Sequence, residues 1–90
     1  MTDKAVNMRK DLAFRRMGEE LFVVDAASAR LHELNGTAAV IWECLAAGQD
    51  EDGIVAALTG KFEVGRDAAR ADSRDFIKEL IDCGLLKKTA

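Results

Sequence analysis

The stretch LHELNGTAAVIW, residues 31–42, is where the sequence changes from the period of a strand to the period of a helix. Apolar residues then recur at the i, i+3, i+4 and i+7 positions of an amphipathic helix, at Ala38, Ile41, Trp42 and Leu45. Asn35 precedes this run and is predicted to be the N-cap, because its side-chain oxygen can accept a backbone N–H of the first turn. Gly48 is predicted to end the helix.

Upstream of this helix, the pattern predicts a small meander of strands. Apolar and polar residues alternate from Leu12, the period of a half-buried strand, and residues 17–20 contain the glycine that a tight reversal needs. Residues 21–24 form a continuous apolar run suited to a central strand. Asp and Ser in residues 25–28 then predict a second turn.

A third strand, from about Ala29 to Leu34, is expected at the edge of the sheet. Leu31 and Leu34 fall on opposite sides of an alternating pattern, so either this strand contains a bulge or Leu34 already belongs to the helix entry. An edge strand exposes unpaired backbone donors and acceptors, which an extended peptide can satisfy by adding a further strand. The alternative is an edge that is simply solvated, or guarded by the charges of Arg30 and Glu33.

Two more helices follow the first. The second is predicted to open at residues 49–52, a glutamine followed by three acidic residues, and its buried face comprises Ile54, Val55, Leu58 and Phe62. The third is predicted from about Arg66 to Cys83, with Gly84 as its left-handed stop and Leu85 and Leu86 folding back onto the core. This order predicts an α+β fold of winged helix-turn-helix type, a three-stranded antiparallel sheet followed by three helices.

The length and composition fit one small soluble domain. Of the 90 residues we assign 12–88 to the domain and 1–11 to a flexible lead-in, because the latter are polar and lack periodicity. No apolar run approaches the roughly 20 residues of a membrane span, and no secretion signal is visible, so a cytoplasmic location is expected. The two cysteines lack CxxC spacing and are interpreted as reduced, ordinary apolar residues.

The sequence offers little that could perform chemistry. His32 is the single histidine, and it has no fixed partner that the sequence can supply. One histidine and two cysteines fall short of a zinc site, and no nucleophile elbow or phosphate-binding glycine loop is present. We therefore expect no metal, no cofactor and no enzymatic activity of the chain by itself.

Charge argues against nucleic acid as a partner. The net charge is −3, and the third helix carries five acidic against four basic residues, whereas a helix that reads DNA is normally rich in Lys and Arg. A winged-helix transcriptional regulator shares the predicted layout, however, and is kept as the alternative function.

Residues 34–42 carry a more specific pattern, Leu-Asn-x-Thr-Ala-x-x-Ile-Trp, which resembles the signature of the PqqD-like family. The resemblance continues through Gly48, through Asp72, Phe76, Ile77 and Leu80, and ends at Gly84-Leu85-Leu86. It covers about residues 12–87 with the same order of elements. Members of this family are winged-helix-like domains that recognise precursor peptides of ribosomally made, enzymatically modified products.

The resemblance implies a non-catalytic module that captures the leader segment of a precursor peptide and presents it to a modifying enzyme such as a radical-SAM protein. In the family, the leader docks as an extra strand on the third strand, in the groove between that strand and the third helix. The positions that the resemblance implies here are Arg30, Leu31, His32 and Glu33 on the strand and Asp72, Asp75, Phe76 and Glu79 on the helix. A proline at Arg30 is then expected to abolish binding by removing a backbone donor. The pathway, whether that of the quinone cofactor or of a lasso-type, sactipeptide-like or other modified peptide, stays open.

Overall fold

The structure is a computed structural model that describes residues 6–8 and 11–88. In chain order its elements are β1 (Val6–Met8), β2 (Leu12–Met17), β3 (Glu20–Asp25), β4 (Arg30–Asn35), α1 (Thr37–Ala46), α2 (Glu51–Lys61), α3 (Arg66–Asp82) and β5 (Leu86–Lys88). Strands β2, β3 and β4 form an antiparallel sheet in that order, and β1 pairs with β5 in a separate two-stranded sheet. The predicted α+β fold, a three-stranded antiparallel sheet followed by three helices, is confirmed.

A two-residue loop, Gly18-Glu19, joins β2 to β3 and is closed by the pair Met17 and Glu20. Gly18 has a φ of 67°, whereas Glu19 has a negative φ, which is the pattern of a type II′ turn. Such a turn matches the right-handed twist of the flanking strands. The reversal predicted at residues 17–20 is therefore confirmed, and the turn fixes the register of the hairpin.

Strand β4 keeps an unbroken register with β3, from the pair Glu20–Asn35 to the pair Asp25–Arg30. Leu34 lies opposite Leu21 and is buried, whereas Leu31 lies on the other face of the sheet and is 65% exposed. Both explanations offered for the two leucines, a bulge and an early helix entry, are wrong. They fall on opposite sides of the alternation because only one of them faces the core.

The start of α1 also differs from the prediction. Asn35 is the last residue of β4, and the N-cap is Gly36, which provides no side-chain hydrogen bond to the helix. Gly36 has a φ of 57°, a left-handed conformation that glycine adopts at little cost. Because this one residue turns the chain directly from strand to helix, Asn35 remains in the ladder and does not cap.

The core lies between the inner face of the sheet and the helices, and it has two parts. The first joins the sheet to α1, α3 and the C-terminal segment: Leu21, Val23, Leu34, Ala39, Trp42, Leu80, Leu85 and Leu86. The second lies among the helices: Val40, Ile41, Cys44, Ile54, Val55, Leu58 and Ala69. Trp42 is fully buried and meets the ring of Phe14 edge-on, with centroids 5.6 Å apart.

An ion pair fastens β2 to α1 at the surface. Arg16 donates two hydrogen bonds of 2.7 Å to the carboxylate of Glu43. This hydrogen bonding holds the pKa of Glu43 below its ordinary value, against the opposing effect of partial burial. The bidentate geometry makes this contact between β2 and α1 directional as well as electrostatic.

Strand β1 lies inside residues 1–11, the segment interpreted as a lead-in, and pairs with β5. Periodicity did not reveal it, because three residues are too short to show a pattern and the partner strand lies about 80 positions away.

Leu85 and Leu86 are buried, as predicted. Over the described residues, no helix combines the length and apolar character that crossing a bilayer requires.

Candidate functional site

Strand β4 forms one edge of the three-stranded sheet, and within residues 6–8 and 11–88 no strand pairs with its outer side. The direction of its backbone groups follows from the hairpin. In a two-residue hairpin the closing pair, here Met17 and Glu20, exchanges both backbone hydrogen bonds, and bonded and non-bonded pairs then alternate along the ladder. Even-numbered residues of β3 therefore bond to β2, and odd-numbered residues of β3 bond to β4.

The partners of these odd-numbered residues are the even-numbered residues of β4, whose N–H and C=O groups are thus already used. The free edge is formed by the backbone groups of Leu31, Glu33 and Asn35. We expected a proline at Arg30 to remove a donor from the free edge. That expectation is wrong, because the N–H of Arg30 points toward β3. A proline at Leu31 or Glu33 removes a donor from the free edge.

The side chains of β4 divide between two faces. Arg30, His32 and Leu34 lie on the inner face, which carries the helices, and Leu31 and Glu33 lie on the outer face. The four strand residues predicted for the site are therefore not on one surface. Two of them, Arg30 and His32, lie on the side of the third helix, and the other two project away from it.

Helix α3 is bound to α2 along one flank. Arg70 and Arg74 each approach the carboxylate of Glu51 to 2.9 Å, and Arg70 also reaches Asp52 at 3.3 Å. The hydrogen bond from Arg74 is the main cause that lowers the pKa of Glu51, with partial burial opposing it and Arg70 adding to it. These contacts settle the rotation of α3 about its axis, which the sequence left open.

The other flank of α3 carries all four helix residues predicted for the site. At 3.6 residues per turn, Asp72, Asp75, Phe76 and Glu79 fall together on the side away from Arg70 and Arg74. Phe76 is half-buried and packs against the core cluster that contains Leu34, and the three acidic residues are exposed. Leu34 of β4 and Phe76 of α3 thus belong to one apolar cluster, and the three acidic residues lie on the same flank of α3 as Phe76.

His32 is half-buried on the inner face of β4, between Arg30 and Leu34. Its Nε2 atom is buried and has no hydrogen-bond partner within the described part of the chain. In the same residues, no three His, Cys, Asp or Glu side chains form a group that could hold a metal ion. The arrangement offers backbone donors and acceptors and an apolar wall, which suit binding.

Both elements of the candidate site carry acidic side chains, and β4 also carries the basic Arg30. Besides the acidic flank of α3, Glu33 projects from β4, and its charge is the main cause that raises the pKa of the neighbouring Glu20. An extended ligand that carries Lys or Arg would reduce this repulsion. The electrostatics therefore favour a basic ligand.

Two parts of the candidate site were missed by the sequence analysis: the backbone of Asn35 at the free edge, and the side chain of Leu34 on the inner face. The sequence did contain the information needed to find Asn35. The two-residue turn at residues 17–20 determines which residues of β3 bond to β2, and therefore which residues of β4 bond to β3 and which have free backbone groups. Assigning Asn35 to a helix cap concealed it.

Comparison with curated proteins gives no significant match. Among solved structures, a chain described as "TbiB1 in Complex with the TbiA(beta) Leader Peptide" is 23% identical, with a TM-score of 0.83 over 92% of this chain and 96% of that chain. Another, described as "Lasso peptide synthetase B1 complexed with the leader peptide", is 24% identical, with a TM-score of 0.81 over 92% of this chain and 98% of that chain. At this identity, the two structures support the fold. Residues 20–86 match the family described as "Coenzyme PQQ synthesis protein D (PqqD)", and because this match spans more than half of the chain, the protein belongs to the PqqD family.

Proposed function

We propose that this protein is a non-catalytic module that captures the leader segment of a ribosomally made precursor peptide and presents it to a modifying enzyme. The leader adds to the free edge of β4 as a fourth strand, and the flank of α3 forms the second wall of its groove. The enzyme performs the chemistry, and a radical-SAM protein is the first partner class to test. The module raises the local concentration of the substrate at the enzyme.

The observation that carries the proposal is the edge of β4, with which no described strand pairs on its outer side, together with the exposed acidic flank of α3. Leu31, Glu33 and Asn35 offer backbone donors and acceptors at every second position, the spacing that an added strand requires. Main-chain hydrogen bonds of this kind give affinity that tolerates different sequences. Selectivity then comes from alternate side chains of the peptide.

The parity of β4 specifies which peptide side chains enter the groove. Peptide residues opposite Arg30, His32 and Leu34 point toward α3, where Phe76 and the apolar cluster favour apolar side chains. Peptide residues opposite Leu31 and Glu33 lie on the outer face. Lys or Arg placed near Asp72, Asp75 or Glu79 would add complementary charge, so we expect a leader with alternating apolar residues and a basic flank.

The similar structures support this proposal, since both are described as complexes with leader peptides and share the fold over nearly their full length. The charge of α3 supports it against DNA binding. Its flank away from α2 carries Asp72, Asp75 and Glu79, which would repel the phosphates that a recognition helix must approach.

The test is a titration of the protein into a fluorescent leader peptide, taken from the short reading frame nearest its gene, followed by anisotropy. Scrambled leader and duplex DNA are the controls. A groove of this size buries less than roughly 1,200 Å², so we expect saturation with a dissociation constant of about 1 μM or somewhat below. Binding to DNA that weakens steeply with salt, without leader binding, would refute the proposal and favour the regulator.

A further inference from the structure

The outer face of the three-stranded sheet has no covering element within the described residues. Leu31, Val24 and Met17 are exposed there to 65%, 44% and 59%. Ala13, Val24 and Leu31 form an apolar row across the three strands, one residue from each. Such a row on an open sheet is unusual for a surface that faces only water, because antiparallel sheets normally place polar residues there.

The next row along the strands carries opposite charges at its two ends. It comprises Arg15 of β2, Phe22 of β3 and Glu33 of β4. The backbones of Arg15 and Glu33 are two strand spacings apart, roughly 10 Å, with the half-buried side chain of Phe22 between them. Arg15 has no ion-pair partner among the residues that the structure describes. The third row, Met17, Glu20 and Asn35, is more polar.

We propose that this outer face binds a second copy of the chain, with the two sheets face to face about a two-fold axis that runs along β3. This rotation places β2 of one copy over β4 of the other. Each of the three rows then faces the same row of the second copy. Arg15 of each copy then lies opposite Glu33 of the other, with Phe22 against Phe22 between the two ion pairs. Ala13 lies opposite Leu31, and Val24 opposite Val24. The face is thus self-complementary in both charge and apolar character, as an isologous interface must be.

The charges also select this axis over the other one available to stacked sheets. A two-fold axis across the strands would place Arg15 on Arg15 and Glu33 on Glu33, and like charges in contact disfavour an interface. In the favoured arrangement Glu20 is the one charged residue of the three rows that meets its own copy. It lies in the polar row at the end of the face, next to the hairpin loop, where its side chain can turn into solvent.

The size of the face sets the expected strength of the dimer. Three strands about 4.8 Å apart and roughly 20 Å long bury on the order of 700 Å² in total, below the roughly 1,200 Å² of a stable complex. We therefore expect a dissociation constant of roughly 100 μM. Sheet stacking leaves the outer edge of β4 open, so the dimer is compatible with an added strand and does not depend on peptide binding.

The test is sedimentation equilibrium of the full chain up to about 1 mM, with Arg15→Glu, Glu33→Arg and an equimolar mixture of the two variants. Each variant alone places like charges in both contacts and is expected to remain monomeric. In the mixture every contact again pairs opposite charges, so a heterodimer of about the wild-type affinity is expected. Arg66→Glu makes the same charge change away from this face and is expected to dimerise like the wild type.

Circular dichroism melts of the four proteins establish that each is folded before association is compared. A wild-type chain that stays monomeric at about 1 mM would overturn the proposal. So would dimers of either single variant, or a mixture that does not associate. If the monomeric wild type binds the modifying enzyme and Arg15→Glu loses that binding, the face belongs to the enzyme interface and the dimer is likewise refuted.

Discussion

Replacing Glu33 with proline tests strand addition at the N–H of one residue. In the ladder this N–H points outward, so the folded chain does not use it, and a proline is tolerated at a sheet edge. A bound leader would lose the hydrogen bond to this donor, and the ring would crowd the peptide carbonyl that accepted it. Leaving that carbonyl unpaired costs about 2 kcal/mol, so the dissociation constant is expected to rise roughly 30-fold.

Two variants make the result specific. Glu33→Ala removes the same charge but keeps the N–H, and it is expected to bind leader far more tightly than Glu33→Pro. His32→Pro removes a donor that bonds β3 and is expected to lower the free energy of unfolding by about 3 kcal/mol. Anisotropy titrations give the affinities, and urea unfolding gives the stabilities. A folded Glu33→Pro protein with unchanged affinity would refute strand addition on β4, and a stable His32→Pro protein would refute the assigned parity.

The remaining predictions concern stability and charge. Ala29 has a φ of 58°, a left-handed conformation that is costly for a residue with a Cβ, so Ala29→Gly is expected to raise the free energy of unfolding by about 0.5–1 kcal/mol in a thermal melt; a lower melting temperature would contradict this. Because the pKa of Glu43 is lowered in the folded state, its pairing with Arg16 stabilises the fold above about pH 4.5 and is lost as the pH falls through the folded-state pKa. The stability difference between wild type and Arg16→Gln should therefore shrink in acid, and a constant difference from pH 7 to pH 3 would argue against the pairing. Glu79→Lys is expected to weaken binding of a basic leader about threefold to tenfold at low salt and less at high salt, whereas Glu63→Lys, the same charge change outside the groove, should have little effect. Equal effects of the two substitutions would show that only net charge matters.

Local patterns in the sequence were sufficient for the order of the three-stranded sheet and the three helices, but not for the short strands β1 and β5. The alternation from Leu12, the turn glycine at Gly18 and the helical spacing from Ala38 to Leu45 each depend on neighbours a few residues apart, and the structure contains the elements they predict. The same holds for the buried face of α2, where Ile54, Val55 and Leu58 are buried as predicted. In α1 the predicted stripe was incomplete, because the helix also buries Ala39, Val40 and Cys44. Family membership also followed from the joint spacing of such local motifs.

The register between strands required more than local pattern. The two-residue turn at Gly18 determines which backbone groups of β4 are free, but this inference holds only when no bulge interrupts β3 and β4. The sequence favoured a bulge or an early helix, and it also assigned Asn35 to the helix cap. Only the continuous pairing of β4 with β3 establishes that Leu31, Glu33 and Asn35 present the open edge.

Tertiary contacts alone decided the rotation of α3 about its axis and the pairing of β1 with β5. The rotation of α3 depends on Arg70 and Arg74 meeting Glu51, residues about 20 positions apart whose attraction has no signature in a local window. The pairing of Val6–Met8 with Leu86–Lys88 joins segments from opposite ends of the chain. Periodicity reports which side of an element is apolar, because burial imposes a repeat on consecutive residues. It does not report which distant element covers that side, because that choice depends on the packing and charge of groups that only folding brings together.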